Sequence, residues 1–442
     1  MNDNESTVSL APVSGKARID VLDVMRGLAI LGIFFMNSPF MGFSIPSQFM
    51  DVRIFGWTPA DAASWFAVQV MLEGTQRGLL ELLFGAGLMV FAARAMAPDG
   101  PVAVADLYWR RNLWLLFFGL FDIFVLLWPG DILHIYALAA LFLFPFRKLG
   151  PKLLLALGMA NLLVVAGVGA FQYQERVEAR AKMETAWAHS QAHKPLSDAD
   201  RKALEEWKKI VDNRYGHSEE IRQLRAAEKP AHAGGFLAYA QFEIGAWIMF
   251  IYPSLPLSIL EAFCMMLIGI AFWKWQIIQG GRSARFYWAL MLAGYAVAIP
   301  LRWIAADQTL TMDPVPKIGW ITYEIGRMAM TFGHVGLINL AMRSGAGRLV
   351  LAPFKAAGRT AFSLYFLQQI VGIYILFAPW GPGLWNKLSW GGLYSVALGV
   401  IAAEVVLANL WLLVFRMGPL EWLWRSLAYV QRQPLLKRAN VT

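Results

Sequence analysis

Charge is scarce in this 442-residue chain: 16% of its residues are Asp, Glu, Lys or Arg, against about a quarter in an ordinary soluble domain. Cysteine is nearly absent. Cys264 is alone and lies in an apolar stretch, which excludes an internal disulfide. There are six histidines; His189 and His193 have the i,i+4 spacing of paired metal ligands but no third ligand accompanies them, so they read as solvated surface residues and no metal is expected. The sequence has no Walker loop, no GxSxG elbow and no dinucleotide fingerprint, which excludes a pump driven by ATP hydrolysis on this chain. Internal repeats and low-complexity tracts are also missing.

Apolar and aromatic residues fill the space instead: 58% of the chain is hydrophobic, with 19 Trp and 29 Phe. A helix needs about 20 mostly apolar residues to cross a hydrocarbon core about 30 Å thick. Such runs fall near 21–43, 64–93, 107–128, 131–147, 151–171, 254–274, 286–305, 320–342, 360–379 and 392–415. The expected fold is therefore an all-α polytopic membrane bundle of about ten spans. The run from Val21 lacks a small-residue cleavage site and predicts a retained signal anchor. The second run is too long for one span and predicts a turn at Glu73-Gly74; the fourth is short and predicts a tight turn at Pro129-Gly130.

The net charge of +9 is spread through alternate short loops rather than gathered in a nucleic-acid-binding block. Lys16 and Arg18, Arg94, Arg110 and Arg111, Arg147 and Lys148, Arg282 and Arg285, Arg343 to Arg359, and Arg416 to Arg438 mark every second loop. The positive-inside rule makes that set cytoplasmic. Both termini are then expected in the cytoplasm of a bacterium, with the bundle in its inner membrane. Membrane lipids are the expected partners, nucleic acid is not, and a dimer is left open. The organisation reads as an N-terminal tail (1–20), a five-span bundle (21–171), a charged helical extracytoplasmic insertion (172–235), a second bundle starting with an interfacial helix (236–415) and an amphipathic tail (416–442). The insertion is identified by dense alternating charge with i,i+4 pairs such as Glu205 and Lys209.

Charge inside the bilayer costs a few kcal/mol or more, so intramembrane charges pair or line wet cavities. Asp23 and Arg26 share a face of the first span, as a structural pair or as the floor of a cavity. Glu73, Arg77 and Glu81 follow at strict i,i+4 spacing, ahead of Gly85 and Gly87. Later spans add Glu261, Arg302, Glu324, Arg327, His334, Gln368, Gln369 and Glu404, enough to surround a polar cavity. In WPGDILHIYAL, Asp131 suits a helix cap, and with His134 it also makes a carboxylate–imidazole pair fit for general-base work. Asp122, midway along the third run, must find a partner or a proton.

The blocks RIDVLDVMRGLAILGIFFMN (18–37), ELLFGAGL (81–88), PGDILHIYALAAL (129–141), GRTAFSLYFLQQIVG (358–372) and FRMGPLEWLWRSLAY (415–429) resemble the YeiB-like membrane proteins, whose C-terminal part is the domain of unknown function 418. That family is in turn similar to transmembrane acyltransferases such as heparan-α-glucosaminide N-acetyltransferase, with which it shares the D-x-x-R-G element, here Asp23 to Gly27. The resemblance implies an acyl group passed from cytoplasmic acyl-CoA, acetyl-CoA for example, to an extracytoplasmic glycan, lipid or small-molecule acceptor. Arg110, Arg111 and Arg359 would then hold the donor's phosphates. Those acetyltransferases carry a catalytic histidine after the first span. Residues 38–64 hold none, and YeiB-like chains often place a histidine where this one has Asp122. The role therefore falls to His134, with Asp131, or to a carboxylate. The other reading of the same residues is a proton-coupled transporter or lipid flippase that uses Asp122, Glu73, Glu261 and Glu324.

Overall fold

The structure is a computed structural model that describes residues 19–48, 50–92 and 102–437. Lys16, Arg18, Arg94 and Arg438, and nearly all of the expected N-terminal tail, lie outside the described residues. Within them the chain is helical and contains no strand, only an isolated bridge between Phe415 and Leu436.

The first helix, α1 (Asp20–Gly42), is the central one, and most of its length is buried. A short turn, α2 (Ile45–Gln48), leads to α3 (Pro59–Met71), which starts with a capping box: Thr58 Oγ1 accepts from the Asp61 N–H, and Asp61 Oδ2 from the Thr58 N–H at 2.9 Å. The long second run breaks where its sequence places a glycine. Gly74 has φ +68°, a conformation open to glycine without strain, and α4 (Thr75–Ala92) starts beyond it. Next come α5 (Val102–Phe124) and the short α6 (Leu133–Leu143).

No break marks the expected edge of the insertion. α7 (Pro151–Gln191) runs 41 residues, about 60 Å at 1.5 Å per residue, so its far half stands clear of the bundle. With no proline or capping signal near 171, nothing in the sequence stops it. α8 (Asp198–Tyr215) folds back on α7, burying Ala186 and Ala203, and Lys209 pairs with Glu205 at 3.2 Å. α9 (Glu219–Ala233) docks on α2, where the Ile45 N–H donates to Glu228 Oε1 at 2.8 Å.

α10 (Phe236–Ala246) continues through a π turn into α11 (Leu255–Lys274). It packs on α9 and against α5 of the bundle. The chain then forms α12 (Ala284–Leu310), α13 (Gly319–Ala341), α14 (Gly345–Arg359), α15 (Ala361–Gln369), α16 (Trp390–Val414) and α17 (Pro419–Tyr429).

Against the expected ten spans, five helical segments among the described residues are long and apolar enough to cross a membrane: Asp20–Gly42, Pro151–Gln191, Phe236–Lys274, Ala284–Leu310 and Trp390–Val414. At the other expected positions, α4, α5 and α13 are diluted by charged and polar residues, while α6 and α15 are short. The peripheral helices expose apolar side chains, Leu163 by 78% and Leu413 by 70%, as a lipid-facing surface does. This is a polytopic membrane protein.

Close approach rests on glycine. A Cβ on Gly85 of α4 would lie 1.9 Å from the Met266 carbonyl oxygen of α11, and one on Gly269 of α11 would lie 2.2 Å from Leu82 O. The two backbones touch because neither residue has a side chain.

Outside the bundle, His232 of α9 stacks on Trp385 with ring centroids 4.1 Å apart, and burial lowers its pKa to about 4. A histidine whose folded value lies below its ordinary 6.5 gains protons on unfolding between those two values, so α9 docking weakens as pH falls through that window. Hydrogen exchange across α9 is expected to speed up from pH 7 to pH 4.5, and His232→Phe is expected to remove most of that acceleration. Comparing the two chains isolates His232 from Glu228, whose pKa burial raises and which acts in the opposite direction. Equal acceleration in both would remove His232 as the cause.

Candidate functional site

Asp131 and His134 meet at the start of α6, pressed against α5. Gly119 makes the approach possible, since a Cβ there would lie 2.5 Å from His134 N and 2.8 Å from Asp131 Oδ2. Asp131 Oδ2 accepts the His134 backbone N–H at 2.9 Å and lies 2.7 Å from Nδ1 of the same residue. One oxygen thus serves both expected roles, capping and orientation. A carboxylate beside Nδ1 selects the Nδ1–H tautomer and leaves Nε2 as the basic nitrogen. The Tyr365 hydroxyl donates to Asp131 Oδ1 at 3.2 Å and accepts from the Ile132 N–H at 3.2 Å. Trp247, from the π turn after α10, packs edge-on against the His134 ring at 6.3 Å. Asp122 is fully buried beside Asp131 and takes a long 3.4 Å hydrogen bond from Gln369 Nε2. Gln368 points elsewhere, donating to Glu404 Oε2 at 2.9 Å and to Ile30 O at 3.2 Å.

A second group of charges holds the helices together. The Arg327 guanidinium, fully buried, donates to both Glu324 oxygens at 2.7 Å and to Glu81 Oε2 at 2.9 Å, and pairs with Glu261 Oε1 at 3.0 Å. Arg77 adds contacts to Glu261 and to Glu81, the latter at 3.5 Å. Asn161 Nδ2 of α7 donates to Glu324 Oε1 at 3.1 Å. Three carboxylates therefore share two guanidiniums across α4, α7, α11 and α13. Arg302 acts as a cap for α3, donating to the carbonyls of Val70, Gln69 and Glu73 at 2.6 Å each, with the Glu73 carboxylate 3.3 Å away. His334 is spent in the same way: Nδ1 meets Tyr295 Oη and Nε2 meets Met71 O, both at 2.9 Å.

Cavities lie at both ends of this core. One of about 260 Å³ has Arg26, Arg111, Arg359 and Arg425 around it, walls of Leu80, Leu83, Phe84 and Leu88, and Tyr365 and Ile132 at its buried end. Arg26 is held by Asp23 at 2.9 Å, and the Arg111 guanidinium lies over the Trp424 ring, 4.5 Å from its centroid. A second cavity, about 310 Å³, lies toward the C-terminal end of α1 and the N-terminal end of α4, against Asn37, Gln76, Arg77 and Glu73, and includes Asp131 and Ile132. A third, about 370 Å³, adjoins it through Met36, Phe40, Glu73 and Tyr323. Ile132 thus separates an arginine-lined cavity from two adjoining ones at the end where α9 docks.

The family described as protein of unknown function (DUF418) matches residues 272–431. Similarity extends over nearly the whole chain in the uncharacterized protein YxaH of Bacillus subtilis (strain 168), 29% identical over 98% of this chain and 100% of that protein. It does so too in the uncharacterized protein YeiB of Escherichia coli (strain K12), 25% identical over 95% of this chain and 98% of that protein. The chain is thus similar to the YeiB-like proteins over nearly its whole length, and its residues 272–431 match DUF418. An uncharacterized 39.9 kDa protein from the amylase 3′ region of Bacillus acidopullulyticus is 24% identical over 96% of this chain and 98% of its own. No solved structure matches this YeiB-like chain.

The DUF418 segment supplies Arg359, Tyr365 and Arg425, while Asp131 and His134 come from the preceding half. Of the three arginines named for a donor's phosphates, Arg111 and Arg359 line the first cavity. Arg110 does not: it pairs with Asp106 at 2.6 Å one turn back on α5 and points away, because adjacent residues lie about 100° apart on a helix. Of the expected polar-cavity residues, Arg26, Glu73 and Arg77 line cavities, with Asp23 holding Arg26. Glu81, Glu261, Glu324, Arg327 and His334 form closed contacts between helices instead, and Gln368 and Gln369 are tied to Glu404 and Asp122. Sequence reasoning missed Arg425, Tyr365 and Trp247. Arg425 and Tyr365 lie in the blocks FRMGPLEWLWRSLAY and GRTAFSLYFLQQIVG, where apolar neighbours mask them. Among the described residues no group of His, Cys, Asp and Glu is arranged to hold a metal, and His189 turns to Asp200 at 3.2 Å.

Proposed function

We propose that this protein is a membrane-embedded acyltransferase that uses acyl-CoA as donor. The observation that carries this reading is the arginine-lined apolar cavity ending at Tyr365, whose hydroxyl is bonded to the same carboxylate that orients His134. Guanidiniums suit phosphates, and an apolar wall suits an acyl chain. The positive-inside rule makes the arginine side cytoplasmic, where acyl-CoA is found, and puts the two adjoining cavities and the insertion on the acceptor side. The Asp131–His134 pair takes the proton of an acceptor hydroxyl or amine, whose oxygen or nitrogen attacks the thioester carbonyl. A C–O or C–N bond forms, the C–S bond breaks, and the CoA thiolate leaves and regains a proton.

Calorimetry on the solubilised full chain with acetyl-CoA, and beside it a longer acyl-CoA, tests the donor site. Micromolar saturable binding is expected, and Arg111→Ala with Arg359→Ala is expected to weaken it at least a hundredfold, as loss of about 1.5–3 kcal/mol for each charged hydrogen bond implies. Arg110→Ala should leave it unchanged. Absence of binding to a folded sample would favour the second reading, a proton-coupled carrier. That reading draws on the excess of three carboxylates over two guanidiniums and on buried Asp122 beside Asp131. Proton flux into liposomes, lost in Asp122→Asn, would then be its signature.

A further inference from the structure

The cavity beyond Ile132 is lined by groups that the protein itself leaves unsatisfied. Asn37, Gln76 and Trp128 all line it, and each is more than nine-tenths buried, at 8%, 5% and 2% exposure. Asn37 Nδ2, Gln76 Oε1 and Trp128 Nε1 each lack a hydrogen-bond partner in the protein. Such groups carry a desolvation cost of about 1–3 kcal/mol apiece unless something in the cavity meets them. Gln76 is held there by design of the neighbouring helix: a Cβ on Gly32 of α1 would lie 2.8 Å from the Gln76 amide carbon.

The charges lining the same cavity are, by contrast, already paired, with Arg77 Nε, 3.5 Å from Glu81 Oε1, as the one atom among them that makes no hydrogen bond. Glu73 meets Arg302, Arg77 meets Glu261, and Asp131 meets His134. A charged ligand would have to compete with these pairs, so the demand is for neutral hydrogen-bonding groups. With Arg77 Nε, three of the unsatisfied atoms are donors and one is an acceptor. A hydroxyl both donates and accepts, so it serves donors and acceptor alike, and it does so whichever way either amide is turned. Trp128, Phe40 and Phe250 add the aromatic surface that suits the C–H faces of a ring. The volume of about 310 Å³ is at the small end of the range of about 300–1,000 Å³ for small-molecule sites.

We infer that this cavity binds a neutral, hydroxyl-rich group, a sugar ring or polyol, and on the acyltransferase reading this group is the acceptor. The binding claim stands on the cavity alone; only the word acceptor rests on that reading. The hydroxyl-rich group arrives either as a free sugar or as the head of a lipid.

Two probes separate these sources: methyl β-D-glucoside, followed by saturation-transfer NMR, and a monoglucosyl diacylglycerol placed in nanodiscs with the full chain. Gln76→Met and Asn37→Leu remove the unsatisfied atoms while keeping shape. Each is expected to weaken binding at least tenfold while leaving the thermal midpoint unchanged or raised, a combination that a structural role for these residues does not produce. Binding of the free glycoside, or of the glycolipid alone, weakened in this way supports the inference and identifies the source. Failure of both probes on a folded sample overturns it, as does binding indifferent to both substitutions. Acetyl-CoA binding measured on the same samples reports on the donor site separately, so either claim can fail without the other.

Discussion

Arg327→Met is expected to cost about 3–5 kcal/mol, enough to prevent recovery of a folded chain, because it leaves buried carboxylates without their main partner. Arg327 is fully buried, and Glu81, Glu261 and Glu324, all of which it touches, come from three different helices. With Arg77 alone remaining, three carboxylates would share a single guanidinium. The opposite change should be mild. Glu81→Gln brings the count to two acids and two arginines, and the amide still accepts from the Arg327 Nη1 that lies 2.9 Å away. The detergent-solubilised thermal midpoint and the yield of monodisperse protein measure both. A stable Arg327→Met chain would mean that the network is not what holds α4, α11 and α13 together.

The largest effect on activity is expected at His134. With Nδ1 fixed by Asp131 at 2.7 Å, loss of the imidazole removes the general base, a contribution of about 10²–10⁴ in rate. His134→Ala is therefore expected to lower acyl transfer by that factor while acyl-CoA binding persists, since His134 is not among the residues of the arginine-lined cavity. Asp131→Asn should act in the same direction and more weakly: it keeps a cap on α6 but turns the imidazole tautomer around. Because Asp131 also anchors Tyr365, its variant must be checked for a shift in acyl-CoA affinity. Full transfer by a folded His134→Ala chain would falsify the assignment of this residue as base. His334→Ala offers a contrast. Its two ring nitrogens tie α13 to α12 and to the end of α3, so it should lower stability and leave the chemistry intact.

Much of this was determined by the sequence alone. Apolar run length predicts membrane helices because an unpaired backbone is costly in hydrocarbon, and that requirement is local. The break at Gly74, the tight start of α6 and the solvated insertion were legible for the same reason: glycine, proline and i,i+4 charge act within a few residues. The pairing of Asp131 with His134 was legible because three residues on a helix start bring the two side chains together. The tertiary structure decided the rest. Helical spacing shows that Glu81 and Arg327 cannot face lipid, but whether they line water or bind each other depends on how α4 and α13 are set side by side. It made most of the expected polar cavity into closed ion pairs and left the cavities to residues that look ordinary in sequence, such as Asn37, Gln76 and Tyr365. The choice between Arg110 and Arg111 was of the same kind, for a rotation of about 100° separates a side chain paired on its own helix from one facing the cavity.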